Sequence, residues 1–335
     1  MDKLIRFSFI ISLVFLLTSC LQNPEPGSPG RVNTLSNVTG AAGEVLVVLD
    51  NHLWKGDAGN MLREALEQEY PALPQAEPLF DVIHITSGAF DNMFKGHRSI
   101  IIIDISTQNT TPEVKYSENI WAQPQLVINI NVPDTKALIK LLQENKSRLV
   151  NNLLSYDRKR IADVYSSGKD MSIKNTLAKF HVNLAIPRGY NVDLEKNDFI
   201  MVSIETPRSS QVISVYRYPY YGEYDLSSRN LIERRNEFLK RYTGGHREGS
   251  YMTTSPMFPP LVFDLVKKDK KIVEIRGLWE LHKGFMGGPF ISHSILDEAR
   301  KEIITVEGYV YNPGDKKRNL MRQIEAIVYS FEIVE

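Results

Sequence analysis

Two constellations bring together residue types that could do chemistry. The first is Asp50, His52 and Trp54 with Asp104 and Trp121. Asp50 and Asp104 sit near the ends of apolar runs that read as buried strands, EVLVVLD over 44–50 and SIIIIDI over 99–105. In open α/β sheets, ligands bind beyond the carboxyl ends of the strands. Carboxylates, an imidazole and indoles at that edge suit a polar ligand, and the aromatic faces suit a sugar. A carboxylate pair there also suits glycoside hydrolysis. That chemistry needs carboxyls about 5–5.5 Å apart for retention and roughly 6.5–9.5 Å for inversion. The plainer reading has both aspartates capping the segments that follow them, with the tryptophans covering loop edges.

The second constellation is Glu280, His282 and His293 around the loop 284–290, which contains Gly287 and Gly288. Glu280 and His282 are two apart on a strand and share a face. Two imidazoles and a carboxylate can bind zinc or move protons. The plainer reading is a solvated polar face beside a tight turn, with glycines there for φ > 0 or close backbone packing. A basic helix carrying Arg229, Arg234, Arg235, Lys240 and Arg241 is interleaved with Glu233 and Glu237, and so reads as a self-paired solvated face. The nucleophile elbow, H-E-x-x-H, phosphate loop and G-x-G-x-x-G motifs are absent. No catalytic residue, metal or cofactor is assigned.

The elements that must position these residues fall into two halves. Over 44–178, strands apolar on both faces alternate with helices. This predicts a three-layer α/β domain with a mostly parallel sheet. Asp57 opens a helix to Tyr70. Pro133-Asp134 opens a long helical pattern that ends at Gly168, and Ser155 to Arg160 is polar enough to hide a break in it. Over 179–335, one-sided strands predict an antiparallel sheet with helices on one face, an α+β domain. The strands are expected near 180–186, 199–206, 211–218, 261–266, 271–282 and 302–311. A helix follows Ser227, and Asp315 caps a last one.

The first residues place the chain in the cell. Lys3 and Arg6 precede an 11-residue apolar run, Phe7 to Leu17, and Leu17-Thr18-Ser19-Cys20 closes it. That is a secretory signal ending in a lipobox. The run is too short to span a bilayer core about 30 Å thick, which needs roughly 20 helical residues. Cys20, the chain's one cysteine, is expected to become the lipidated first residue of the mature chain, its amine open to acylation such as palmitate. Two or more acyl chains anchor stably. The Pro- and Gly-rich stretch 21–43 reads as a disordered tether. No aspartate follows Cys20, so the expected place is the outer membrane, facing the periplasm.

The full chain has 40 basic and 40 acidic residues, and loss of 1–19 leaves a charge of −1. That balance argues against a nucleic-acid partner, which selects basic faces. With Cys20 alkylated, disulfides and cysteine nucleophiles are excluded.

Several stretches form a distinctive set: LPQAEPLF over 73–80, PRGY over 187–190, GLW over 277–279, MGGPF over 286–290 and EGYVYNP over 307–313, with Lys317-Arg318 behind. Together they resemble an uncharacterised domain-of-unknown-function family of Bacteroidetes lipoproteins. The resemblance implies an envelope lipoprotein and no functional residues. Separately, the strand order from Phe180 onward is similar to the sheet of photosystem-associated PsbP-type domains, a likeness of pattern only. The expectation is a membrane-anchored binding or assembly module for an envelope protein or glycan. The alternative is a carboxylate-dependent glycan or cell-wall hydrolase.

Overall fold

A computed structural model of the chain describes residues 35–335 apart from 169, 246 and 335. The expected signal peptide, Cys20 and the expected tether up to residue 34 lie outside the described residues; the rest of the stretch expected as a disordered tether to residue 43 is instead ordered, with Val38 and Thr39 donating to the Gln123 and Gly96 carbonyls. Residues 37–335 form one compact unit.

In the first half, β1 (Glu44–Val48), β2 (Asp81–Ile85), β3 (Ser99–Ile105) and β5 (Leu126–Val132) are parallel. With β4 (Glu113–Glu118) they form a five-stranded sheet in the order β2-β1-β3-β5-β4. Only β4 runs antiparallel, and the sequence reading missed it because its EVKYSE pattern is mostly polar. The short α1 (Asn51–Trp54), then α2 (Asp57–Leu66), α3 (Asn92–Lys95) and α4 (Thr135–Ser167), connect or cover the strands. Helix α4 runs unbroken for 33 residues. The polar stretch expected to break it instead points Tyr156, Asp157 and Arg160 inward, where they are buried and hydrogen-bonded.

A short α5 (Met171–Ala178) leads to the second half. Its strands are β6 (Asn191–Glu195), β7 (Phe199–Glu205), β8 (Ser210–Pro219), β9 (Tyr251–Thr254), β10 (Leu261–Lys267), β11 (Lys270–His282), β12 (Gly287–Asp297) and β13 (Glu302–Tyr311). All are antiparallel, in the order β9-β11-β12-β13-β8-β7-β6, with β10 also paired to β11. The alternation expected over 180–186 yields only a two-residue strand at Val182–Asn183, because His181 takes a left-handed φ of 57°. Helix α6 (Ser228–Tyr242) lies on one sheet face and α7 (Arg318–Tyr329) on the other, so helices flank both faces rather than the one expected.

The cap of α7 differs from the expected Asp315. Glu77, from the first half, accepts the backbone N–H groups of Lys317 (2.6 Å) and Arg318 (3.2 Å). These are orphan donors of a helix N-terminus. One hydrophobic core runs through both halves, joining Val47, Ile101 and Leu138 to Ile213, Ile291 and Ile324. Each such side chain contributes about 1.5–3 kcal/mol when fully buried. Gly308 on β13 lets α7 lie close, since a Cβ there would meet Ile324 at 2.3 Å.

Candidate functional site

The sheet edge expected to bind ligand holds only part of its constellation. Val48 pairs with Ile102 in parallel register, so Asp50 and Asp104 do lie beyond the same edge on adjacent strands. Both are exposed. Asp104 accepts from Asn109 (3.0 Å), which also reaches the Val132 carbonyl. The Asp50 carbonyl accepts the Leu53 and Trp54 N–H groups at the start of α1. Trp54 stacks on His84 at 4.4 Å, and His52 is exposed. Trp121 sits at the opposite end of the strands. Its N–H donates to Gln125, just before β5 begins, whereas Asp104 is level with Asn131 near that strand's end.

The second constellation separates because 287–297 is a strand and not a loop. Gly-Gly-Pro reads as a turn, yet these residues open β12, between β11 and β13. Gly287 and Gly288 take ordinary strand geometry. A Cβ on Gly288 would lie 2.1 Å from the Val310 carbonyl oxygen, so close backbone packing accounts for it. Glu280 is level with Gly287 at one end of the hairpin, while His293 is level with Glu274, six residues further along β12. His282 is exposed and stacks on Tyr251. Among the described residues no group of three His, Cys, Asp or Glu could hold a metal ion.

His293 instead leads to a site that the sequence reading missed. Its Nε2 bonds the Glu274 carboxylate at 2.8 Å. The other Glu274 oxygen accepts from Arg276 Nε at 2.7 Å. Arg276 also donates to Glu325 of α7, and Tyr70 of the first half donates its hydroxyl to the same carboxylate. Arg158 of α4 comes within 3.8 Å of Glu325 and lies over the Tyr329 ring at 4.0 Å. This network forms the inner wall of a cleft of about 490 Å³ between the halves. Gln68, Glu69, Ser147 and Asn151 line it from the first half, and Phe263 and Leu265 of β10 wall it from the second.

Electrostatics fix the protonation states. Burial alone would raise the Glu274 carboxyl, but the His293 hydrogen bond and Arg276 outweigh it and hold it well below the carboxylate range. Burial is likewise outweighed at Glu325, where the charges of Arg276 and Arg158 pull the carboxyl down. Burial keeps His293 below its ordinary value despite Glu274. Burial and then the charge of Glu274 push Tyr329 up to about 12. The wall therefore presents two carboxylates, two guanidiniums and neutral hydroxyls near neutrality. A general acid needs a proton to give at working pH, and neither glutamate has one. The arrangement is suited to holding a ligand by preformed hydrogen bonds.

The missed residues left one signal in the sequence. Glu274 and Arg276 alternate with Val273, Ile275 and Gly277 in a strand, and Glu325 falls on the apolar stripe of α7 four residues after Met321. The basic helix is largely as expected, with Arg229–Glu233 and Arg234–Glu237 paired on its surface. Arg235 departs from that: it is buried and bidentate to Glu307.

No curated protein matches the sequence. Two solved structures are similar at a TM-score of 0.31 and 11% identity, each over 46% of this chain. They are a point mutant of protein Mog1, 92% covered, and the Saccharomyces cerevisiae Ran-binding protein Mog1p, 91% covered. At that score the likeness carries no argument. Two family models match, both described as domains of unknown function, and the expected resemblance to an uncharacterised family of such domains is met. The DUF8532 model matches residues 38–166 and the DUF4837 model matches residues 169–330, so the chain is similar to each over less than half of its length.

Proposed function

We propose that this chain is an envelope lipoprotein, held at the membrane through Cys20, that works as a binding or assembly module for an envelope protein or glycan. Its ligand lies in the cleft between the halves. The observation that carries this reading is the ionic wall of buried Tyr70, Glu274, Arg276 and Glu325 with the half-buried Arg158. It opens on a cleft whose volume falls in the range of ligand sites. A preorganised wall lowers the cost of ordering polar groups when a ligand arrives. Among the described residues no helix is long and apolar enough to cross a membrane, and a lipid anchor needs none.

The test is a crosslinking pulldown from envelopes with the wild-type chain, Cys20→Ala and Arg158→Ala. A partner retained by wild type, reduced by Arg158→Ala and dependent on lipidation supports the reading. Turnover of an envelope glycan that Asp50→Asn or Asp104→Asn abolishes would replace it with the hydrolase.

A further inference from the structure

The outer wall of the cleft is a strand with an open edge. Among the described residues β10 is bonded on one side only, to β11. Its register sets Leu261 level with Arg276, Phe263 with Glu274 and Leu265 with Ile272. Directly opposed residues share a face, so Leu261, Phe263 and Leu265 lie on the face that carries the ionic wall. Phe263 is 41% exposed and Val266 78%, and Met257 and Phe258 just before the strand are exposed as well. Natural sheets shield open edges with charge, proline or a covering element. Here Asp264, paired with Lys271, is the acidic residue of the strand.

Resting on the cleft as the binding site, we propose that its ligand is an extended peptide segment of a partner protein. The segment pairs with the free edge of β10 and drops alternate side chains into the cleft. Backbone pairing supplies affinity and the pocket for alternate side chains supplies specificity. The cleft is lined by Glu69, Glu274 and Glu325 against Arg158 and Arg276, an excess of one carboxylate. That charge favours a basic side chain at an inward position.

Two other occupants fit less well. A second copy pairing symmetrically through β10 would set Asp264 against Asp264, and like charges directly opposite are destabilising. A bilayer would leave the edge N–H and C=O groups unsatisfied in hydrocarbon. Three of the nearby lysines are also engaged: Lys267 donates to the Tyr329 and Phe331 carbonyls, Lys268 pairs with Glu332 and Lys271 with Asp264.

The experiment selects a random displayed heptapeptide library on the Cys20→Ala chain, then measures recovered peptides by fluorescence anisotropy. The expected peptides alternate apolar residues with a basic one. N-methylation of alternate amides should weaken them at least tenfold in one of the two phases and little in the other. Val266→Lys, at an exposed position outside the cleft lining, should also weaken them about tenfold. No recovered peptide, or peptides indifferent to both N-methyl phases and to Val266→Lys, overturns the proposal. If glycan fragments still bind and Arg158→Ala abolishes that binding, the cleft reading survives alone. Loss of both kinds of binding removes the cleft reading too. Concentration-dependent dimers, or vesicle binding, that Val266→Lys abolishes would assign the edge to a second copy or to the membrane and overturn the peptide.

Discussion

Arg235–Glu307 and Arg276–Glu325 are buried arginine–glutamate pairs on opposite faces of one antiparallel sheet. The first is closed. Arg235 makes two bonds to Glu307 at 2.7 and 2.8 Å and a third to Thr254, and its guanidinium lies 3.7 Å from the Phe290 ring centroid. Every partner comes from the second half. The other pair is shared. Glu325 collects Arg276, Tyr70 and Arg158, and Arg276 reaches on to Glu274, which in turn holds His293. Two of those groups come from the first half, and the network borders open space. The same chemistry locks a helix to its sheet in one place and walls a cleft in the other. What separates the two is whether the first half contributes partners and open space borders the pair.

The strongest way to break that contrast is to remove charges. Glu307→Ala should cost about 3–5 kcal/mol in urea unfolding, because it leaves the Arg235 guanidinium buried without its carboxylate; Glu325→Ala should also destabilise, because it leaves Arg276 with Glu274 alone and the Tyr70 hydroxyl without its acceptor. The paired replacement Arg235→Met with Glu307→Leu should be neutral or stabilising by about 1–4 kcal/mol, as apolar substitutes for a closed pair often are. Arg276→Met with Glu325→Leu should stay destabilised, since it strands Glu274, Arg158 and Tyr70. Equal behaviour of the two double variants would erase the distinction.

Acid titration sharpens it. Glu274 and Glu325 are held below the ordinary 4.5 in the fold, so their stabilisation is fully present above that value and is lost as pH falls through it. His293 lies below its ordinary 6.5, so loss begins as pH drops under 6.5, where the unfolded chain takes up the proton first. Glu307 has the opposite sign. Burial outweighs Arg235 and raises it, so its contribution is full below 4.5 and is lost as pH rises. Melting curves from pH 7 to 2 should therefore flatten below 4.5 in Glu274→Gln and steepen above 4.5 in Glu307→Gln; matching slopes would contradict the assignment.

Smaller effects probe the frame around the two pairs. Gly288→Ala presses a methyl onto the Val310 carbonyl and should cost about 1–3 kcal/mol. Glu77→Ala uncaps α7 and should cost about 1 kcal/mol by thermal melting. Arg229→Ala removes an exposed i,i+4 pair and should leave the melting temperature unchanged.

The sequence made the sheets legible where apolar periodicity was unbroken. Ser99–Ile105 and Glu302–Tyr311 have the expected bounds, and the turn at Lys268 and Asp269 takes the positive φ that a tight hairpin needs. It hid β12, because Gly-Gly-Pro signals a turn while the reason for Gly288 lies in a carbonyl 22 residues away. The cleft was hidden for a related reason. Tyr70, Arg158, Arg276 and Glu325 meet only through long-range packing, and no local spacing records that Tyr70 and Glu325 are bonded across 255 positions.

The clasp on α7 bears on how the chain is made. Translation delivers the polypeptide from its N-terminus, so Glu77, Leu79, Asp81 and Asp157 emerge long before Lys317, Arg318 and Arg322 reach them. Contacts of such long separation form slowly. Until α7 arrives, the first half keeps unpaired carboxylates and an uncovered apolar face. The nascent chain is then most exposed to proteolysis, and a frameshift near the 3′ end of the message would disable residues encoded near its start.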